Sequence, residues 1–229
     1  MTYAETSLVL FDLDGTLADT APDLAGAANR MRARRGMAPL ALEVLRPMAL
    51  HGARGLIGAA FGIGSDAPDY LSWRDEFLAE YETRLCVESS LFPGVDSVLR
   101  AFEARGVRWG IVTNKATRFT EPLVRALDLH ARAACVVSGD TTPHAKPHPA
   151  PVEHALRVCQ VSAENAIYVG DDARDVISGR AAGVRTVAVR YGYLGSGDAI
   201  EAWGADHVVD TPHQILDLIP ATRRRANAA

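Results

Sequence analysis

The chain has 229 residues, enough for one large domain or two modest ones around a sizeable core, with 24 basic and 28 acidic side chains and a formal net charge of -4. So slightly acidic a balance gives no electrostatic ground for binding nucleic acid or an anionic membrane surface. The cysteines Cys86, Cys135 and Cys159 are odd in number and show no CxxC spacing, which excludes a disulfide framework or zinc site as the organising device and fits a reducing compartment.

Met1 to Thr6 lacks a basic leader region, and no apolar run reaches the length of a membrane span, so the expectation is a cytoplasmic protein with no membrane partner. The first pattern is Leu8-Val9-Leu10-Phe11, a short apolar run that predicts a buried strand. Thr20-Ala21-Pro22-Asp23 then predicts a helix start, with Thr20 as cap, and Gly36 the stop. Leu42–Leu50, Arg54–Phe61 and Leu71–Leu85 remain helical, with no strand candidate among them. After Phe92-Pro93-Gly94 helix and strand alternate, the pattern of a parallel sheet with crossover helices. The predicted helices are Val95–Ala104, Thr117–Leu127, Ala150–Cys159, Ala173–Ala182 and Pro212–Ile219. Between them lie predicted strands at Val107–Thr113, Ala134–Ser138, Ala166–Val169, Arg185–Val189 and His207–Val209. The fold class is therefore α/β, with a Rossmann-like parallel sheet as core (residues 1–16 and 88–229) and an inserted all-helical cap subdomain (residues 17–87). The basic run Arg223-Arg224-Arg225, beside an Ala-rich terminus, reads as a solvated tail.

Polar residues punctuate four of these strands at their ends. Asp12-Leu13-Asp14-Gly15-Thr16 follows the first, Thr113-Asn114-Lys115 the second, Asp140-Thr141-Thr142 and then Lys146-Pro147 the third, and Gly170-Asp171-Asp172 with Asp175 the fourth. In a parallel sheet those ends share one edge, where such folds bind ligands. Neighbouring carboxylates repel unless a cation lies between them or one is protonated, so Asp12 and Asp14 call for a metal or an acid role. The set suits phosphoryl transfer: Asp12 as nucleophile, Asp12, Asp14 and Asp171 as oxygen ligands of Mg²⁺, and Thr113 and Asn114 on phosphoryl oxygens. Lys146 would neutralise developing charge, and Asp175 would orient a metal-bound water or Lys146. Asp172 reads as a helix N-cap.

In order and spacing these segments resemble the four motifs of the haloacid dehalogenase superfamily. The resemblance implies Mg²⁺, an aspartyl-phosphate intermediate on Asp12, a general acid/base at Asp14 and a cap domain formed by the helical insertion. Asp14 itself favours a phosphomonoester, whose alkoxide leaving group needs a proton, over a halide, which needs none. Within the superfamily the chain is most similar to phosphoglycolate phosphatase-like enzymes. Trp109–Lys115 with Arg118-Phe119, Tyr191–Leu194 and Trp203–Asp206 with Val208–Asp210 resemble the N-acetylmuramic acid 6-phosphate phosphatases of that group. The expected substrate is thus a small phosphorylated metabolite, phosphoglycolate or N-acetylmuramic acid 6-phosphate, handled by a monomer or weak homodimer. A sugar phosphomutase and a non-catalytic binding member are the alternatives. Arg54, in the Gly-flanked turn His51–Gly55, is the candidate for a substrate carboxylate, and Thr16 a further substrate-binding candidate.

Overall fold

The computed structural model describes residues 6–194 and 197–219, so the Arg223–Arg225 run and the first five residues lie outside the described part. Six strands form one wholly parallel sheet: β1 (Leu8–Phe11), β4 (Arg108–Val112), β5 (Val136–Val137), β6 (Ala166–Gly170), β7 (Arg185–Val189) and β8 (His207–Val209). Their order is β5-β4-β1-β6-β7-β8, so the chain starts in the middle of the sheet and winds outward both ways. The order reverses beside β1, the position at which open α/β sheets bind their ligands. Because side chains alternate along a strand, Val9 and Phe11 enter one apolar cluster, while Leu8 and Leu10 enter another on the opposite face. The first cluster is closed by α5 (Val95–Arg105), α6 (Thr117–Ala126) and α9 (His213–Leu218); α7 (Ala150–Cys159) covers the second. A buried parallel strand has no solvent face, which is why β1 reads as an unbroken apolar run.

The helical stretch forms as four elements, α1 (Ala21–Arg34), α2 (Leu42–Ala49), α3 (Gly52–Phe61) and α4 (Tyr70–Glu82). They share an apolar cluster of their own around Leu24, Met31, Leu45, Leu56, Ile57 and Phe77, to which Phe119 and Tyr193 of the sheet layer contribute. The chain leaves and re-enters the sheet layer through a two-residue antiparallel ladder, β2 (Ala18–Asp19) against β3 (Ser90–Leu91). No pattern predicts such short strands, since two residues show no periodicity. The Asp23 carboxylate clamps this crossing: it accepts hydrogen bonds from the backbone N–H of Val87, Glu88 and Ser89 and, at 2.6 Å, from the Ser89 hydroxyl.

Boundaries elsewhere agree with expectation to within a few residues: the helix expected over Leu71–Leu85 ends at Glu82, and the strand expected over Ala134–Ser138 shrinks to Val136–Val137 at the sheet edge. Thr20 does precede α1, but its side chain makes no capping hydrogen bond and turns to Asp14 instead. Asp172 caps α8 (Ala173–Ala181) as expected, accepting from Arg174 N at 2.7 Å, with Asp175 completing a reciprocal capping box. No described helix is long and apolar enough to cross a membrane.

Candidate active site

The ends of β1, β4 and β6 and the loop after β5 place their polar residues together. Lys146, 5% exposed, is the hub. Its Nζ donates to Asp175 Oδ1 at 2.7 Å, the Tyr168 hydroxyl at 2.8 Å and the Val112 carbonyl at 3.1 Å, and pairs with Asp12 Oδ1 at 2.9 Å. Asn114 holds the backbone of this lysine from both sides, donating to Lys146 O and accepting from Lys146 N, each at 2.9 Å. The Asn114 side chain is thereby committed to the lysine loop, although the residue lines the cavity beside Thr113.

Asp12, Asp171 and Asp175 each bring a carboxylate oxygen within 4.8 Å of the other two. Asp171 is fully buried, accepting from Thr16 Oγ1 at 3.0 Å and Tyr193 N at 2.9 Å, with no cation in direct contact among the described residues. Two glycines make room for this packing. A Cβ on Gly15, whose φ is +86°, would stand 2.1 Å from Asp171 Oδ2, and one on Gly170 would stand 2.2 Å from Asp175 Oδ2. Burial, aided by Asp175 and Asp14 and opposed by Lys146, pushes the Asp12 carboxyl up to about 7. Asp171 is raised well above the usual carboxylate range by its burial and by the charges of Asp12 and Asp175. Burial lowers the Lys146 ammonium's affinity for its proton, but Asp12 and Asp175 more than reverse this and keep it charged. Buried like charges with an all-oxygen donor set fit a small hard cation, which would relieve the repulsion. Both Asp175 oxygens are engaged, Oδ1 by Lys146 and the Tyr168 hydroxyl and Oδ2 by Asp172 N, whereas Lys146 reaches only Oδ1 of Asp12 and does not touch Asp171, so Asp12 and Asp171 are the carboxylates left to hold it.

Asp14 stands outside that triad. Its Oδ1 accepts from Thr20 Oγ1 at 2.5 Å and from Lys115 Nζ at 2.9 Å, and Lys115 in turn sits 4.9 Å from the Tyr81 ring centroid. The Asp14 carboxylate is thus engaged by Thr20 and Lys115 and lies outside the group of three clustered carboxylates. Thr16, a substrate-binding candidate in the sequence, is buried and spends its hydroxyl on Asp171. Arg54 is exposed on α3 and does not line the cavity, to which that turn contributes His51, Gly52 and Ala53.

The cavity, about 390 Å³, lies between the strand ends and the helical layer. Asp12, Asp14, Thr113 and Lys146 form its floor, and Leu24, Leu50, Phe77, Leu78 and Tyr81 supply much of its apolar wall. Arg118 and Arg174 also line it, and neither is legible as a site residue from the sequence, since a single arginine on a helix is ordinarily a solvated one. Arg174 forks onto Asp172 and reaches across to the Leu50 carbonyl at 2.8 Å, joining α8 to the end of α2. Tyr193 is a second junction: its hydroxyl accepts from Thr20 N at 2.7 Å and Ala21 N at 2.9 Å, at the start of α1.

This sheet, its edge of carboxylates and lysine, and the helical layer above it belong to a hydrolase class. Residues 9–189 match the family model of haloacid dehalogenase-like hydrolases, and the chain belongs to that family. Among its relatives, an N-acetylmuramic acid 6-phosphate phosphatase of Pseudomonas aeruginosa is 40% identical over 211 residues, covering 92% of this chain and 93% of the relative. A phosphoglycolate phosphatase of Xanthomonas campestris pv. campestris is 41% identical over 210 residues, covering 91% and 94% respectively. In shape the chain is similar to the crystal structure of a predicted phosphoglycolate phosphatase from Haemophilus somnus 129PT, with a TM-score of 0.81, 26% identity, and 94% and 98% of the two chains covered.

Proposed function

We propose that the chain is a Mg²⁺-dependent phosphatase that hydrolyses a small phosphomonoester through a covalent intermediate on Asp12. The observation that carries this reading is the convergence on Lys146 of Asp12 and Asp175, with Asp171 in the same cluster: a buried nucleophile, its fixed counter-charge and a cation site in one place. Asp12 and Asp171 would hold Mg²⁺, which supplies charge neutralisation between the carboxylate and the anionic ester. Asp12 Oδ1 is held by Leu13 N at 2.7 Å and by Lys146, leaving Oδ2 with lone pairs to form the bond to phosphorus. As the ester P–O bond breaks, a proton from Asp14 passes to the departing alkoxide. The Asp14 carboxylate then takes a proton from water, whose oxygen attacks phosphorus and frees the Asp12 carboxylate and inorganic phosphate. Thr20 and Lys115 both engage Asp14 Oδ1, which leaves Oδ2 for that proton. Thr113, 2% exposed on the cavity floor, contributes a hydroxyl to a phosphoryl oxygen, and Lys146 stabilises the charge there.

Residues 17–87 serve as the cap and residues 1–16 and 88–229 as the catalytic core, the β2–β3 ladder forming the crossing between them. Of the two substrates suggested by the relatives' names, the amino sugar ester suits the cavity better. At about 390 Å³ with extensive apolar wall, it matches the volume that sites for drug-sized ligands have, roughly 300–1,000 Å³, and far exceeds what phosphoglycolate fills. Water in the remainder would weaken every charge interaction at the floor.

The decisive experiment follows inorganic phosphate release from N-acetylmuramic acid 6-phosphate, phosphoglycolate and p-nitrophenyl phosphate, with Mg²⁺ and with EDTA, for the wild type and Asp12→Asn. Steady release that needs Mg²⁺ and falls at least a thousandfold in Asp12→Asn is expected, several kcal/mol being lost with covalent catalysis. Activity of that variant within about tenfold of wild type would refute the nucleophile. Phosphoryl transfer back to the sugar without steady phosphate release would identify a mutase.

A further inference from the structure

Resting on the phosphatase reading above, we infer that Arg118 is the residue that binds a substrate carboxylate, so that selectivity for carboxylated phosphoesters is built into the helix following β4. Four lysine and arginine side chains line the cavity: Lys115, Arg118, Lys146 and Arg174. Three are spent on acids of the protein. Lys146 is bound by Asp12 and Asp175, Lys115 by Asp14, and Arg174 by Asp172. Among the described residues Arg118 has no carboxylate partner; its guanidinium lies 4.4 Å from the centroid of the Phe119 ring, and Phe119 is itself a lining residue.

A guanidinium over an aromatic face keeps its edge available, and that edge presents paired N–H donors in the planar fork that fits a carboxylate. Arg118 is itself exposed, with the Phe119 ring against one of its faces. The substrate's phosphate belongs at the floor with Asp12 and Lys146, so a second anion on the same molecule must look elsewhere in the cavity for a cation. Asp14, Asp172 and Asp175 are paired with Lys115, Arg174 and Lys146, and Arg118 is the lining cation not already neutralised. Residues 113–118 run from the floor of the site to this arginine, so one loop and the first turn of α6 would read both ends of the substrate. His51, exposed on the helical side, is the other lining group able to take a positive charge.

The test compares kcat/KM for N-acetylmuramic acid 6-phosphate with that for N-acetylglucosamine 6-phosphate, the same amino sugar ester without the lactyl carboxylate. The wild type should prefer the carboxylated ester, and Arg118→Gln should reduce that preference by about ten- to a hundredfold, chiefly through KM, as expected for loss of a charged hydrogen bond. Arg118→Lys should restore part of it, having the charge without the fork. Arg125→Gln, the same charge change on the same helix but away from the cavity, should retain the wild-type ratio. An unchanged ratio in Arg118→Gln, or an equal fall in that variant for both esters, would overturn the assignment. If the ratio collapses instead in His51→Gln while Arg118→Gln keeps it, the carboxylate site lies on the helical side and the inference fails. Absence of phosphate release from any ester by the wild type would refute the phosphatase reading itself, a result distinct from all of these.

Discussion

At the scale of single residues, the two aspartates of the first strand end have separate surroundings and therefore separate work. Asp12 shares Lys146 with Asp175 in the buried cluster, whereas Asp14 is tied to Thr20 and Lys115 on the side facing the helices. A proton donor matters most when the leaving group is a strong base. Asp14→Asn should therefore slow formation of the intermediate by about a hundredfold or more for an alkyl phosphate, and much less for p-nitrophenyl phosphate, whose leaving group departs unaided. Single-turnover kinetics of both esters measure this, and equal losses would remove Asp14 as the acid. The positions of Asp12, Asp171 and Lys146 were legible because each ends or follows a predicted strand, and the sheet's topology alone brings strand ends together. Lys115 was legible in the same way, as part of the polar cluster after the second strand, but Arg118 and Tyr193 were not legible as cavity or junction residues: their placement depends on how the helical layer sits over the sheet, and no local pattern encodes that. Arg54 shows the converse case, in which a flexible-looking glycine turn suggested presentation to a ligand while the helix that forms there carries its side chain to solvent.

At the scale of elements, two features hold the helical layer together and to the sheet. The Asp23 carboxylate, buried on α1, collects four donors from residues 87–89 just before β3. Asp23→Ala leaves those backbone N–H groups without an acceptor and should cost about 2–3 kcal/mol, read as a lower urea midpoint with faster amide exchange at Val87 to Ser89. Exchange there at the wild-type rate would mean that the clamp is not what orders the crossing. Between α1 and α4, Glu80 takes hydrogen bonds from Arg30 at 2.5 Å and from Arg34. Burial raises its pKa, but those two arginines outweigh burial and hold it below the ordinary value. A folded-state pKa that is lowered contributes stability above the unfolded value, near 4.3, which is lost as pH falls through the folded one. The difference in Tm between wild type and Glu80→Gln should thus be present at pH 7 and shrink below about pH 4, while a difference constant with pH would show that charge is not its origin. The helices themselves were legible from their spacing, whereas the β2–β3 crossing and the Asp23 clamp were not, because a clamp between residues 23 and 89 leaves no trace in either neighbourhood.

At the scale of the whole molecule, the fold sets binding of a cation against the stability of the sheet's own edge. Three carboxylates from two strand ends and one helix are packed within 4.8 Å, and the one ammonium among them, Lys146, contacts Asp12 and Asp175 but not Asp171. Asp171 is therefore an ionisable group buried without a direct counter-charge, secured only by Thr16 and the Tyr193 backbone. Such a group costs the metal-free fold free energy and returns it when a divalent cation arrives. Mg²⁺ at about a hundred times its Kd should stabilise the wild type by about 2.7 kcal/mol, a rise in Tm of roughly 5–10 °C for a chain of this size. Asp171→Asn keeps an acceptor for Tyr193 N and removes the group whose ionisation burial opposes, so its Tm in EDTA should exceed that of the wild type, while its response to Mg²⁺ and its turnover should both be lost. Thermal melts of the two proteins with EDTA and with graded Mg²⁺ decide the matter. A variant that melts lower than wild type in EDTA would show that the Asp171 charge is compensated within the protein, and one that keeps the full Mg²⁺ shift would remove Asp171 from the cation site.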